Sequence, residues 1–284
     1  MSSSYTQVDH RRASAARSRP RASIESGQRI FEFHTVEKGS PLANQQIKSK
    51  IALVTGGAIR VGEAISRRLA AAGYHVVVHA FSHETRARSL AHELGGSHVC
   101  ADLSQSNGVR VIFEHIDTLG LPLEILVNNA AIFQPSAPEA VSQEMWDAHW
   151  AVNVTAPFQA AQLAAPRMRR HGNGVIINLL DIASLRPEAD YVHYSATKAA
   201  LESLTKGLAA QWAPEIRVNG VAPGAALMPE TFTDEERQLR LDRTPMGIEP
   251  GAAPIAEAVE FLAIGPRAIT GVVLPVDAGL SITW

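Results

Sequence analysis

Tyr194 and Lys198 are the residues in this chain best suited to chemistry. They stand four apart in Tyr194-Ser-Ala-Thr-Lys198, so on a helix they share one face, one turn apart. An ammonium there favours the phenolate and is expected to lower the tyrosine pKa from about 10. Tyr194 then becomes a usable general acid near neutral pH. The same lysine could donate a hydrogen bond to a ribose. Upstream, Asp181 ends the apolar run Val175-Ile-Ile-Asn-Leu-Leu180 and stands 13 residues before Tyr194. An N-cap or an ion pair with Arg186 is a plain role for Asp181.

These side chains need a scaffold that brings them together. From residue 48, short apolar runs alternate with helical stretches: Ile51–Thr55, Tyr74–His79, His98–Cys100, Glu124–Asn128, Val175–Leu180, Ile216–Val221 and Val272–Val276. Continuous apolar strands alternating with helices predict an α/β fold, a doubly wound parallel sheet covered on both faces. Such sheets bind ligands at the carboxyl ends of their strands, and every candidate residue falls at one of those ends. The first run leads into Thr55-Gly56-Gly57-Ala58-Ile59-Arg60-Val61-Gly62. A glycine-rich strand-to-helix turn lets backbone approach a pyrophosphate at the helix N-terminus, and Arg60 could add positive charge.

A site for NAD usually carries Asp or Glu at the end of the second strand. Here the chain reads His79-Ala80-Phe81-Ser82-His83, with no carboxylate before Glu84. That absence favours NADPH, with His79 and Ser82 as donors to a 2′-phosphate; Ser82 serves equally well as an N-cap. Asp102 could bind an adenine amino group or cap the next helix. Asn128, Asn129 and Ala130 close the fourth strand, where amides can tie strand ends together and line the groove.

With these motifs in place, residues 48–284 resemble the short-chain dehydrogenase/reductases. The resemblance rests on the glycine turn, Asn128-Asn129-Ala130, Asn153, Tyr194, Lys198 and Pro223-Gly224. It implies a Rossmann-like domain with a seven-stranded parallel sheet, assembly into tetramers or dimers, and Asn153 holding a water in a proton relay to Lys198. It also places Gly56, Arg60, Val61, Gly62, Asn129, Ala130, Pro223 and Gly224 around the cofactor. Two departures from the common pattern narrow it: Arg60 replaces a glycine, and Asp181 replaces a serine. Asp-(x)12-Tyr-(x)3-Lys, with Phe133 in Asn129-Ala130-Ala131-Ile132-Phe133, resembles the pteridine and dihydromonapterin reductases.

That branch implies hydride transfer from NADPH to a pterin or dihydrofolate, with Tyr194 as acid and Asp181, Phe133, Tyr194 and Arg60 on the substrate. The swap fits the chemistry: a carboxyl group suits ring nitrogens and an amino group, whereas a hydroxyl suits a carbonyl, and Phe133 would stack on the flat ring, with ordinary packing as its plainer role. The alternatives are an NADPH-dependent carbonyl reductase for ketones or oxoacyl thioesters, and a non-catalytic NADP-binding sensor.

Composition bounds the rest. The chain has 284 residues, a formal net charge of −2, 46% hydrophobic and 19% charged residues. That suits a large globular core and lacks the basic excess of a nucleic-acid binder. Cys100 is the single cysteine, which excludes an internal disulfide and fits a small strand-end residue in a reducing compartment. No apolar run approaches the roughly 20 residues that span a bilayer. The expected location is cytoplasmic. Residues 1–47 include RRASAARSRPRAS at 11–23 and read as a disordered extension, with a transit peptide as the other possibility. Residues 225–247 read as a lid, in which Leu227, Met228 and Pro229 could touch substrate. His193 is expected to face solvent. The histidines show no metal-binding spacing, so no metal is expected. Ala199, Leu204, Leu208 and Trp212 form a stripe suited to core or to a subunit interface.

Overall fold

A computed structural model describes residues 50–224 and 233–283. The N-terminal extension, and Leu227, Met228 and Pro229, lie outside the described residues. Seven strands form one parallel sheet: β1 (Ile51–Val54), β2 (His75–Ala80), β3 (Ser97–Cys100), β4 (Leu123–Asn128), β5 (Gly174–Leu179), β6 (Ile216–Pro223) and β7 (Val273–Val276). Their order is β3-β2-β1-β4-β5-β6-β7. Each of the seven apolar runs became a strand. Strands β1, β4 and β5 are mainly apolar because helices cover both faces; their polar exceptions are Glu124, Asn128 and Asn178.

The helices are α1 (Arg60–Ala71), α2 (Glu84–Leu94), α3 (Gly108–Thr118), α4 (Gln143–Trp150), α5 (Ala156–Arg170), α6 (Val192–Trp212), α7 (Asp234–Leu241) and α8 (Ala252–Ile264). One face of the sheet packs against α1, α2 and α8, through Ile65, Leu90 and Val259 among others. The other packs against α3, α5 and α6, through Ile112, Ala164 and Ala209. The sheet reverses its winding between β1 and β4, and a cleft opens beyond their carboxyl ends.

In helix α6 the core reading of the Ala199 stripe holds only in part. Its buried stripe is Tyr194, Lys198, Leu201, Thr205 and Ala209, so the catalytic pair and the core-forming residues share one face. Ala199 is exposed, and Leu208 and Trp212 are only partly covered. The helix begins well before Ala199, because an unbroken turn is needed to hold Tyr194 and Lys198 in line.

A polar chain runs across this apolar scaffold. Asn128 Nδ2 donates to Asn178 Oδ1 at 2.8 Å, and Asn178 Nδ2 donates to Thr205 Oγ1 at 2.8 Å. It ties β4 to β5 and β5 to α6 at the level of the cleft. All three residues are buried. Replacing Asn178 with alanine is expected to leave Asn128 and Thr205 short of partners and to cost about 1–3 kcal/mol. A lower urea midpoint with an unchanged denaturant slope is the expected result; an unaltered midpoint would exclude the role.

Candidate active site

The cleft has a volume of about 700 Å³, within the range of small-molecule and cofactor sites. Its floor is the turn between β1 and α1. Gly56 has φ +59°, and a Cβ on Gly62 would stand 2.0 Å from Gly56 O. Glycine at 62 is therefore a requirement of the turn's close approach. Thr55 Oγ1 accepts from the backbone N–H groups of Asn129 and Ala130 and donates to Val127 O. Asn129 Nδ2 donates to Thr55 O and Gly56 O at 2.9 and 3.0 Å. The end of β4 and the glycine turn are thus held as one rigid rim. Thr55 was not anticipated as a site residue; its hydroxyl acts only through groups more than 70 positions away.

Arg60 stands at the first position of α1 with φ +52°. A non-glycine side chain there is strained by roughly 1–2 kcal/mol. It is exposed and lines the cleft; the half-buried Val61 and the buried Gly62 line the cleft beside it. An arginine therefore sits where the backbone itself would prefer glycine, which is the kind of local cost found at functional positions.

His79 requires a correction. It is 1% exposed, Nδ1 accepts from the Gly56 N–H at 3.1 Å, and Nε2 meets Ala101 O at 3.0 Å. With both ring nitrogens engaged, no donor remains for a phosphate. These bonds also define the tautomer: Nε2 carries the proton and Nδ1 is the acceptor. Burial holds its pKa down at about 4. His79 is a clamp on the glycine turn, and only its edge reaches the cleft. Ser82 is exposed at the rim, paired with His83 Nδ1; α2 is capped at His83, not at Ser82. Asp102 Oδ1 accepts from the N–H and hydroxyl of Ser104, so it shapes the loop before α3 while lining the cleft. Pro223 and Gly224 close the far wall at the end of β6.

The titratable groups gather at the end of β5. Tyr194 O–H donates to Asp181 Oδ2 at 2.9 Å. Asp181 Oδ1 accepts from Ala183 N–H at 2.8 Å, capping the short turn Ile182–Ser184. The capping role is therefore real, and the carboxyl group still faces the cleft. Arg186 is no partner of Asp181; its Nη1 donates to Leu280 O. Lys198 Nζ donates to Leu179 O at 2.8 Å and lies 5.6 Å from the Tyr194 ring centre. Ser184 turns away to Glu202.

This geometry reverses the expected tyrosine shift. Burial, followed by the adjacent Asp181 carboxyl group, holds Tyr194 well above its ordinary value. Burial also raises Asp181, against the pull of Ala183 N–H and Lys198. Lys198 is lowered by burial to about 8. The lysine is too far to dominate, while the carboxyl group touches the phenol directly. Both the phenol and the carboxyl group are thus shifted toward their protonated forms.

Asn153 lies on an irregular turn, Ala151–Thr155, between α4 and α5. Its side chain clasps Ile132, accepting from the backbone N–H at 2.8 Å and donating to the backbone O at 3.0 Å. It also donates to Thr197 Oγ1. That clasp sets the loop carrying Phe133, which is 57% exposed and lines the cleft, so core packing does not account for it. Phe133 stacks on Tyr191 with ring centres 4.4 Å apart and an angle of 7°. Tyr194 meets the Phe133 edge at 4.8 Å. Tyr191 escaped sequence reading; the available signal was an aromatic three residues before the acid. His193 is also corrected: it is buried against His149, with Nε2 bonded to Gln134 O. Among the described residues, no group of three or more His, Cys, Asp or Glu is placed to hold a metal. No helix there is long and apolar enough to cross a membrane.

Comparison with known proteins adds an independent view. The family model described as Enoyl-(Acyl carrier protein) reductase, of the short-chain dehydrogenase class, matches residues 57–281. A 4-formylbenzenesulfonate dehydrogenase of Comamonas testosteroni is 35% identical, covering 83% of this chain and 99% of its own. The 3-oxoacyl-[acyl-carrier-protein] reductase FabG of Staphylococcus aureus is 30% identical, covering 82% and 98%. Among solved structures, FolM alternative dihydrofolate reductase 1 of Brucella suis, in complex with NADP, has a TM-score of 0.78. It is 29% identical and covers 84% of this chain and 97% of its own. A gluconate 5-dehydrogenase of Burkholderia cenocepacia, with NADP and tartrate, also has a TM-score of 0.78, at 30% identity over 86% and 100%.

The His79 clamp carries a pH dependence. Its folded pKa lies below its ordinary 6.5, so the unfolded chain binds the proton first. Its contribution is intact above pH 6.5 and is lost as pH falls from there to about 4, by up to about 3 kcal/mol. Unfolding free energies of the parent and of His79→Gln, measured by urea titration between pH 7 and pH 4, should converge as pH falls. Parallel profiles would exclude the clamp.

Proposed function

This chain belongs to the short-chain dehydrogenase/reductase family, and from that premise we propose that it is an NADPH-dependent pterin reductase. The observation that carries this reading is the 2.9 Å bond from Tyr194 to Asp181, in a cleft that also presents the Phe133 ring.

The cleft fits a dinucleotide. The glycine turn at the sheet's reversal leaves backbone exposed to a pyrophosphate. NADP in the Brucella and Burkholderia structures supports the choice of nicotinamide. So does the end of β2, where Ala80-Phe81-Ser82-His83 has no carboxylate to repel a 2′-phosphate. The first acid, Glu84, is paired with Arg88 at 2.7 Å. Gly56, Val61, Gly62, Asn129, Ala130, Asp102 and Ser82 would hold the nucleotide, with Arg60 against its phosphates. His79 holds the turn that does so. Bound NADPH supplies the hydride.

The chain's own residues then do the following. Tyr194 gives its proton to a ring nitrogen next to the carbon being reduced. Asp181 bonds to the amino and ring N–H groups of the heterocycle, and in its protonated form restores the proton on Tyr194. Lys198, held by Leu179 O at 2.8 Å, would hold the ribose and favour negative charge on the phenol oxygen as its proton leaves. Phe133, backed by Tyr191, offers its other face to the flat ring. Asn153 keeps that loop in position through Ile132.

A second reading has its own support. The curated relatives include a 3-oxoacyl reductase and an aldehyde-named dehydrogenase. A protonated Asp181 could donate to a carbonyl oxygen much as a serine would. Oxidation of NADPH over a panel of dihydropterins, dihydrofolate and ketones separates the two. Turnover of pterins is expected; robust ketone reduction with no pterin turnover would select the carbonyl reductase.

Two variants test the residue roles. Tyr194→Phe should lower kcat on a pterin by about 10²–10⁴-fold, with NADPH binding, followed by fluorescence, retained. Asp181→Ser should lower pterin turnover by about 10²-fold while the cofactor still binds. Wild-type pterin kinetics in Asp181→Ser would rule out the carboxyl group's part.

A further inference from the structure

A second cavity, of about 640 Å³, adjoins the cleft and shares Phe133, Asp181, Tyr191, Tyr194 and Gly224 with it. Its outer wall carries Arg186, Arg243, Glu188 and Asp242. The formal charges of these four balance, so what matters is which of their polar atoms are already engaged. Asp242 already accepts from Gln238 Nε2 at 2.7 Å, and Glu188 is not free. Arg186 uses only Nη1, toward Leu280 O at 2.6 Å and Thr283 Oγ1 at 3.3 Å. That fixes its plane and leaves the N–H groups of Nε and Nη2 without an acceptor among the described residues. The Arg243 side chain has no hydrogen bond or ion pair among the described residues either. Both arginines therefore have donors to spare on permanently charged forks, which suit a carboxylate.

We propose that Arg186 and Arg243 form a subsite for a terminal carboxylate on the substrate, so that the favoured substrate is a flat heterocycle with an anionic tail. This rests on the pterin reading for the identity of the ring. Asp181 and Phe133 take the ring at the inner end, and the tail extends outward along the second cavity. Arg186 follows Asp181 closely in the chain, across the Ile182–Ser184 turn, so one short segment would read both ends of the substrate. The bond to Leu280 O makes Arg186 a preorganised partner, which limits the ordering cost of binding the tail.

The test uses two substrate pairs whose members differ in whether the tail carboxylate is free or esterified: dihydrofolate and its dimethyl ester, and 4-benzoylbutyrate and its methyl ester. Wild-type enzyme with NADPH should show a lower KM for the acid of whichever pair it reduces. Arg243→Gln and Arg186→Gln should each shrink the ester-to-acid KM ratio by about tenfold, and Arg186→Lys should restore part of it. A merely structural role would shift both members alike and leave the ratio as in wild type, which would overturn the subsite. Turnover of the ketone pair alone would reject the pterin reading; the arginine variants would still decide the subsite on that pair. Turnover of neither pair overturns both proposals.

Discussion

Placing a carboxyl group, a phenol and an ammonium together at the largely buried inner end of a cleft imposes the constraint on which this structure depends. Each loses solvation, and each loss shifts its proton affinity in the direction that favours the neutral form. Asp181 and Tyr194 offset part of that cost by sharing a hydrogen bond, and Lys198 by donating to Leu179 O. The protein can hold these groups only where helix α6 and the end of β5 are locked to each other. The buried amide chain from Asn128 through Asn178 to Thr205 provides that lock at the same level of the sheet.

A second set of polar contacts aligns the cofactor half with the reacting half. Thr55 and Asn129 join the glycine turn to β4, and His79 joins the same turn to β2 and to the backbone after β3. Asn153 then carries the alignment onward to the Phe133 loop and, through Thr197, to α6. Each of these side chains satisfies backbone groups that a loop at a sheet edge would otherwise leave bare. The cleft therefore has a rigid floor, and its mouth carries the strained Arg60 and the exposed Phe133. Stability is concentrated beneath the site and local cost at its edge, the distribution expected where function constrains structure.

Much of this was legible from residue order. Seven apolar runs separated by helical stretches require a covered parallel sheet, and such a sheet places its ligands at the strand ends. The glycine turn, Asp181, Tyr194 and Lys198 could be found because their roles depend on neighbours a few positions away or on the end of a strand. Phe133 was legible only through resemblance, and the structure gives it an exposed face that packing alone would not require.

Tertiary structure decided what depends on distance and surroundings rather than on order. His79 became a clamp and not a phosphate donor, because Gly56 and Ala101 come to its two nitrogens from different strands. His193 was buried because α4 brings His149 against it. Tyr191 joined the site because a loop folds its ring onto Phe133. The direction of the Tyr194 shift reversed, since helical spacing to Lys198 says nothing of how close Asp181 comes or how little water remains. The residue sequence by itself determined the fold class and which chemical groups line the strand ends. Only packing set their protonation, because proton affinity follows local dielectric and contacts of a few ångströms, and neither is encoded by position along the chain.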